Sequence, residues 1–144
     1  MDDLFSLKDK VVIVTGASGL LGREHVNAIA SCGGIPILID LNQKVLDKQA
    51  GLIEKEFNIL TKGFAVDITD ENQVKLNCIK IISEFMKIDG LINNAANNPQ
   101  VKNHSTKEFS RIENFPLDIW EEDISVGLKG AFLATKYYGT AISK

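Results

Sequence analysis

Short continuous apolar runs alternate with longer stretches in which apolar residues recur every three or four positions. Val11-Val12-Ile13-Val14 is the first run, and four apolar residues without alternation fit a strand covered on both faces. Val26, Ile29 and Ala30 then keep helical spacing. The second run, Ile35-Pro36-Ile37-Leu38-Ile39, ends in Asp40, and Val45, Leu46, Gln49, Ala50, Ile53 and Phe57 trace a second helix whose single polar member is Gln49. Gly63 to Val66 reads as a short third strand ending at Asp67-Ile68. Thr69-Asp70 followed by Gln73 has the form of a capped helix start, and Val74, Cys78, Ile81, Ile82 and Phe85 give that helix its inward face, to an end near Lys87. Gly90-Leu91-Ile92-Asn93 is the fourth strand. Asn94 to Ser110 is a polar segment containing Pro99, long for a plain connection. Asp118 and Glu121 give another capping-box spacing, and Trp120, Ile124, Leu128, Ala131, Thr135 and Tyr138 form one mostly apolar stripe on a long last helix.

Strand and helix in alternation, without an internal repeat or a low-complexity linker, is βαβ organisation. Right-handed crossovers between four buried strands, with the first strand as the switch point, predict an α/β fold: a doubly wound Rossmann-type parallel sheet in strand order 3-2-1-4, helices on both faces and the fourth strand an edge. A chain of 144 residues, 44% apolar and 24% charged, is long enough for one core, so residues 1–144 read as one domain. The net charge of −3 with mixed signs gives no basic field for nucleic acid. No run approaches the roughly 18 apolar residues of a membrane span, and Met1-Asp2-Asp3 lacks the basic start of a signal peptide. The expected partner is a small-molecule substrate, with neither nucleic acid nor membrane, and the expected location is the cytoplasm. Cys32 and Cys78 lack metal-ligand spacing and make no disulfide framework, so both read as packing residues. His25 and His104 stand apart from any cysteine or carboxylate cluster, and no metal site is expected.

The chemistry sits where the first strand ends. Thr15-Gly16-Ala17-Ser18-Gly19-Leu20-Leu21-Gly22 lies between a buried strand and a helix, the place of a glycine-rich phosphate loop. Gly16 allows a tight reversal, Gly19 removes a side chain where backbone meets a pyrophosphate, and Gly22 lets helix and strand pack closely. Backbone N–H groups of the helix start, with its dipole, then hold phosphate charge. The same glycines would also serve a plain turn. Asp40 follows Gly16 by 24 positions, near the roughly 20 expected of an acid that accepts from an adenosine ribose. A carboxylate there favours a free 2′-hydroxyl over a 2′-phosphate, which makes NAD the expected cofactor. Asp40 merely ending a strand or capping a helix is the plainer reading.

Leu7 to Lys10 leading into the Thr15-Gly16 loop, Asp67-Ile68 after the third strand, Asn93-Asn94-Ala95-Ala96 after the fourth and the Trp120 to Phe132 segment together resemble the first part of a short-chain dehydrogenase/reductase, over nearly the whole chain. The resemblance implies that Asp67 and Ile68 sit at the adenine, with the Asp67 carboxylate accepting from the exocyclic amine. It implies that Asn93 and Ala95 lie along the cofactor, and that a homo-oligomer forms through the last helix. The segments Asn94 to Pro99, Arg111 to Leu117 and Val126 to Phe132 resemble oxidoreductases of flagellin-modification and surface-sugar pathways, which implies a sugar or nucleotide-sugar substrate.

Three departures limit the carry-over. Gly16, Gly19 and Gly22 are spaced as in the epimerase-like branch. The family's helix asparagine is Gly127 here, in Val126-Gly127-Leu128, where it could keep a backbone carbonyl role while losing the side chain. The catalytic Tyr-x-x-x-Lys pair is absent: Tyr137 and Tyr138 are followed four residues on by Ala141 and Ile142. Alcohol oxidation by that family needs a tyrosine hydroxyl made acidic by a lysine, so no catalytic residue is assigned, the chain reads as the cofactor-binding portion of a longer oxidoreductase, and it is expected to be inactive alone. A non-catalytic NAD-binding module and an epimerase or dehydratase that retains its NAD are the alternatives.

Overall fold

The computed structural model describes residues 3–97 and 111–142. Its strands are β1 (Val11–Thr15), β2 (Ile35–Asp40), β3 (Lys62–Ala65) and β4 (Gly90–Ile92), all parallel and ordered β3-β2-β1-β4, as the crossover argument requires. The connecting helices are α1 (Leu20–Ser31), α2 (Gln43–Phe57) and α3 (Glu71–Phe85). Beyond residue 111 the chain forms α4 (Leu117–Ile124), α5 (Ala131–Ala134) and α6 (Thr140–Ile142), joined without a break by π-helical segments at Ser125–Gly130 and Thr135–Gly139. Met1, Asp2, Pro99 and His104, and most of the polar segment before Ser110, lie outside the described residues.

Successive strand residues point to opposite faces, and that alternation divides the core in two. Ile13, Ile37 and Ile39 meet Val74, Cys78 and Ile81 of α3 together with Leu133, Ala134 and Tyr138 of the long helix. Val14 and Leu38 meet Val26 of α1 and Leu46 and Ile53 of α2. Both faces of the central strands are therefore covered, which is why their sequences run apolar without alternation. Asn42 caps α2 by accepting from the Val45 N–H, and Asp70 caps α3 by accepting from the Asn72 and Gln73 N–H groups. Gln73 returns the bond to Asp70 from its side chain, so the start read from Thr69-Asp70 and Gln73 holds.

Two expectations for the long helix are corrected. Its first residue is Leu117 and its N-cap is Pro116, with no side-chain cap bond; the fixed proline φ of −65° with an extended ψ of 133° stops the helix there. Asp118 thus falls inside the first turn, where it complements the dipole without capping. Second, the stripe drawn from Trp120 to Tyr138 does not stay on one face. Trp120, Ile124 and Leu128 are exposed, Ala131 is half-buried, Thr135 is exposed and Tyr138 is fully buried. The two π segments hold more residues per turn than an α-helix, which rotates the phase, so a stripe at regular spacing starts outside and finishes inside.

Two clamps join β4 to β1. At the strand starts, Asp89 accepts from the Val11 N–H at 2.9 Å and from Lys10 and Lys87, at 3.3 and 3.0 Å, while the Asp89 N–H donates to the Val11 carbonyl. At the strand ends, the Thr15 hydroxyl donates to the Ile92 carbonyl and accepts from the Asn94 and Ala95 N–H groups, at 3.0 and 3.1 Å. The Asn94 amide donates back to the Thr15 and Gly16 carbonyls, at 3.0 and 3.1 Å.

Burial works to raise the Asp89 pKa, but the Val11 N–H and the two lysines outweigh it and hold the carboxyl below the usual range. A carboxylate with a depressed folded pKa contributes stability that is present above its unfolded value, about 3.9, and is lost as pH falls through the folded value. Urea midpoints should therefore drop on acidification below about pH 4, and Asp89→Asn should lower the neutral-pH midpoint while flattening that part of the profile. Asn94→Asp, which sets a carboxylate oxygen against two backbone carbonyls, should cost about 2 kcal/mol in urea unfolding with the secondary structure by circular dichroism unchanged.

Candidate functional site

The loop leaving β1 turns at Gly16, whose φ is +64°, a conformation in which other residues are strained. A Cβ on Gly16 would lie 2.8 Å from the Ala95 Cα, and one on Gly22 would lie 2.1 Å from the Gly16 carbonyl oxygen. Both glycines are thus demanded by backbone packing, one between the two strand ends and one between the helix and its own loop. Gly19 is the N-cap of α1, with no side-chain cap bond and no acid in the first turn. The first N–H groups of the helix therefore open, without a side-chain acceptor from the cap, onto a cleft of about 740 Å³.

Most of the residues expected to hold a cofactor line that cleft. Gly16, Ser18 and Gly19 come from the loop, Leu20, Leu21 and Gly22 from the start of α1, Asp40 from the end of β2, Asp67 and Ile68 from beyond β3, and Ala95 from beyond β4. Thr15 and Asn93 are not part of the lining. The Thr15 side chain is buried in the clamp behind the loop, and the Asn93 amide donates to the Thr135 hydroxyl of the long helix at 3.0 Å.

The two acids are already engaged. Asp40 Oδ2 accepts from the Ser18 N–H at 2.9 Å and the Ser18 hydroxyl at 2.6 Å, and Oδ1 accepts from the Leu41 N–H at 2.8 Å. Asp67 Oδ1 accepts from the Thr69 N–H and hydroxyl, at 2.8 and 2.7 Å. Gln49, the polar position on the buried side of α2, donates to the Ala17 carbonyl and so supports the loop from beneath.

Sequence reasoning missed several lining residues. Arg23 follows the last loop glycine and donates from Nε to the Ser18 carbonyl at 2.9 Å. Asn94 lines the cleft between Asn93 and Ala95 of the same motif, and its role is set by Thr15 rather than by any local pattern. Glu122 and Val126 reach the cleft from the long helix, and no local signal announces that. Gly127 stands one residue beyond Val126, and a Cβ there would meet nothing within 4 Å, so packing does not require glycine.

The two tyrosines lie outside the lining. Burial raises the Tyr138 pKa, and its hydroxyl donates to Asn77 Oδ1 in the core at 2.9 Å. The Tyr137 hydroxyl donates to Glu71 at 2.7 Å, which raises its pKa too. Lys136 reaches the same Glu71 oxygen at 2.7 Å and, with Tyr137, holds that carboxyl below its usual range. Raised phenols are the opposite of what proton abstraction from an alcohol needs; these groups tie α3 to the long helix.

A loop free of side-chain caps at a helix start, two glycines a Cβ would disrupt and an acid at the neighbouring strand end together suit a dinucleotide. Comparison with known proteins agrees. The chain is 32% identical over 145 residues to an NADP-dependent mannitol dehydrogenase from Hypocrea jecorina, covering 99% of this chain and 51% of that protein. It is 27% identical over 138 residues to an NAD-dependent glycerol dehydrogenase from Listeria innocua, covering 96% and 49%. Among solved structures, NAD+-bound xylitol dehydrogenase superposes with a TM-score of 0.80 at 24% identity, covering 94% of this chain and 49% of that one, a likeness of fold. An NADPH-dependent 3-quinuclidinone reductase from Rhodotorula rubra gives 0.80 at 26%, covering 98% and 50%. The chain spans about half the length of the curated relatives it matches. The family model described as short chain dehydrogenase matches residues 10–143, and the chain belongs to that family.

Proposed function

We propose that this chain is the dinucleotide-holding half of an oxidoreductase acting on the alcohol or carbonyl of a sugar or polyol, with NAD preferred to NADP. The observation that carries the reading is the capless start of α1 facing the same cleft as Asp40. The N–H groups and dipole of α1 would hold the diphosphate, Asp40 would accept from a ribose hydroxyl, and Asp67 and Ile68 would border the adenine. Bound nicotinamide supplies hydride exchange with a carbon of the substrate. Relatives named for mannitol, glycerol and sorbose support a polyhydroxylated substrate. Relatives named for NADP and for NAD both occur, so the NAD preference rests on the Asp40 charge. The cytoplasm suits such chemistry, and Cys32 and Cys78 form no disulfide.

Association of like subunits through the long helix belongs to the same reading. Trp120, Ile124, Leu128 and Phe132 are exposed and spaced four apart, leaving an apolar face along the long helix.

Calorimetric titration should show the 144-residue chain binding NAD more tightly than NADP, with Asp40→Ala narrowing the gap by about 1–3 kcal/mol; equal affinities before mutation remove Asp40 from the ribose. No NAD reduction is expected with sorbitol, mannitol or glycerol, because the relay residues are absent from these 144 positions. Sedimentation velocity should show oligomers that Leu128→Glu with Phe132→Glu dissociates, and a stable unmutated monomer overturns the helix-mediated assembly.

A further inference from the structure

Asp40 is the group on which cofactor choice turns in the proposed function, and its hydrogen bonds restrict what it can do. A carboxylate oxygen has two lone pairs in its plane. Oδ2 spends both on Ser18, one on the N–H and one on the hydroxyl, and Oδ1 spends one on the Leu41 N–H. One acceptor position therefore remains for a ribose, where two hydroxyls stand side by side. The backbone bonds from Ser18 and Leu41, one to each oxygen, already set the plane of the carboxylate. The 2.6 Å hydroxyl bond is thus not needed for orientation; it occupies an acceptor site and draws off negative charge. At that same corner the Ser18 carbonyl accepts from Arg23 Nε. Arg23 is exposed and lines the same cleft as Asp40, and both are hydrogen-bonded to Ser18.

We infer that Ser18 is a specificity-determining residue that weakens the discrimination between NAD and NADP. Its hydroxyl takes one of the two Asp40 acceptor positions that the backbone leaves open, and its carbonyl holds Arg23 on the same cleft, where a 2′-phosphate finds a cation. The cleft accepts both dinucleotides, with NAD ahead by a modest factor. Removing the hydroxyl exposes a second acceptor site and a less neutralised carboxylate, which helps a 2′-hydroxyl and repels a 2′-phosphate. Removing the guanidinium charge weakens NADP alone.

This inference rests on the proposed dinucleotide site, and calorimetric dissociation constants of the full 144-residue chain for NAD and for NADP separate the two. Unmutated protein that binds neither dinucleotide overturns the site itself, and this inference with it. Given binding, Ser18→Ala should raise the NADP-to-NAD ratio of dissociation constants by about fivefold, Ser18→Thr should restore the original ratio, and Arg23→Gln should weaken NADP severalfold with NAD unchanged. A ratio that stays constant in Ser18→Ala while both affinities fall together makes Ser18 a loop support and overturns the assignment. A fall in the ratio overturns it as well. Equal weakening of both dinucleotides in Arg23→Gln moves that residue to the shared diphosphate and removes it from the 2′ position.

Discussion

Backbone meets backbone at Gly16, and the site is built around that contact. Its Cα faces the Ala95 backbone and its carbonyl lies against Gly22, so the ends of β1 and β4 and the start of α1 converge on one residue. Nothing larger fits, and its positive φ turns the chain in the one direction that carries it from sheet to helix. The Thr15 and Asn94 hydrogen bonds enclose this contact and satisfy backbone groups that a strand end would leave without partners. A cleft with rigid walls follows from this packing before any ligand is considered.

Rigidity at that point has a consequence for charge. The loop carries its N–H groups toward the cleft, and Asp40 turns to meet one of them from the neighbouring strand. The acid therefore steadies the loop, and the bonds from Ser18 and Leu41 take three of its four lone pairs. A carboxylate with three of its acceptor positions taken by the protein itself is held in one orientation at the edge of the cleft.

Much of this was legible in the sequence, for a physical reason. The strands are covered on both faces, so Val11 to Val14 and Ile35 to Ile39 advertise themselves as unbroken apolar runs, and four such runs with helices between them admit few sheet orders. The glycine loop and Asp40 were legible because their spacing belongs to the local βαβ unit. What escaped depends on contacts between distant segments. Asn94 is defined by Thr15, about 80 residues earlier. Glu122 and Val126 reach the cleft only because the long helix packs across α3. The stripe from Trp120 to Tyr138 changes face because periodicity assumes a constant number of residues per turn, and two π segments violate that assumption.

The same π segments explain how two glycines three residues apart differ in meaning. A Cβ on Gly130 would meet Ile68 Cδ1 at 2.5 Å, so this glycine lets the helix settle against a residue that lines the cleft, and it fixes the position of the far wall. Gly127 meets nothing and faces outward. In a regular helix an unneeded glycine costs about 1 kcal/mol relative to alanine, but Gly127 lies where the α-helical hydrogen-bond ladder is already interrupted. Less regular structure is lost there, so a glycine with no packing role is tolerated at the one part of the helix whose backbone has departed from α geometry. The wall of the cleft therefore depends on Gly130 and Val126, while Gly127 between them changes the backbone's freedom without changing the packing.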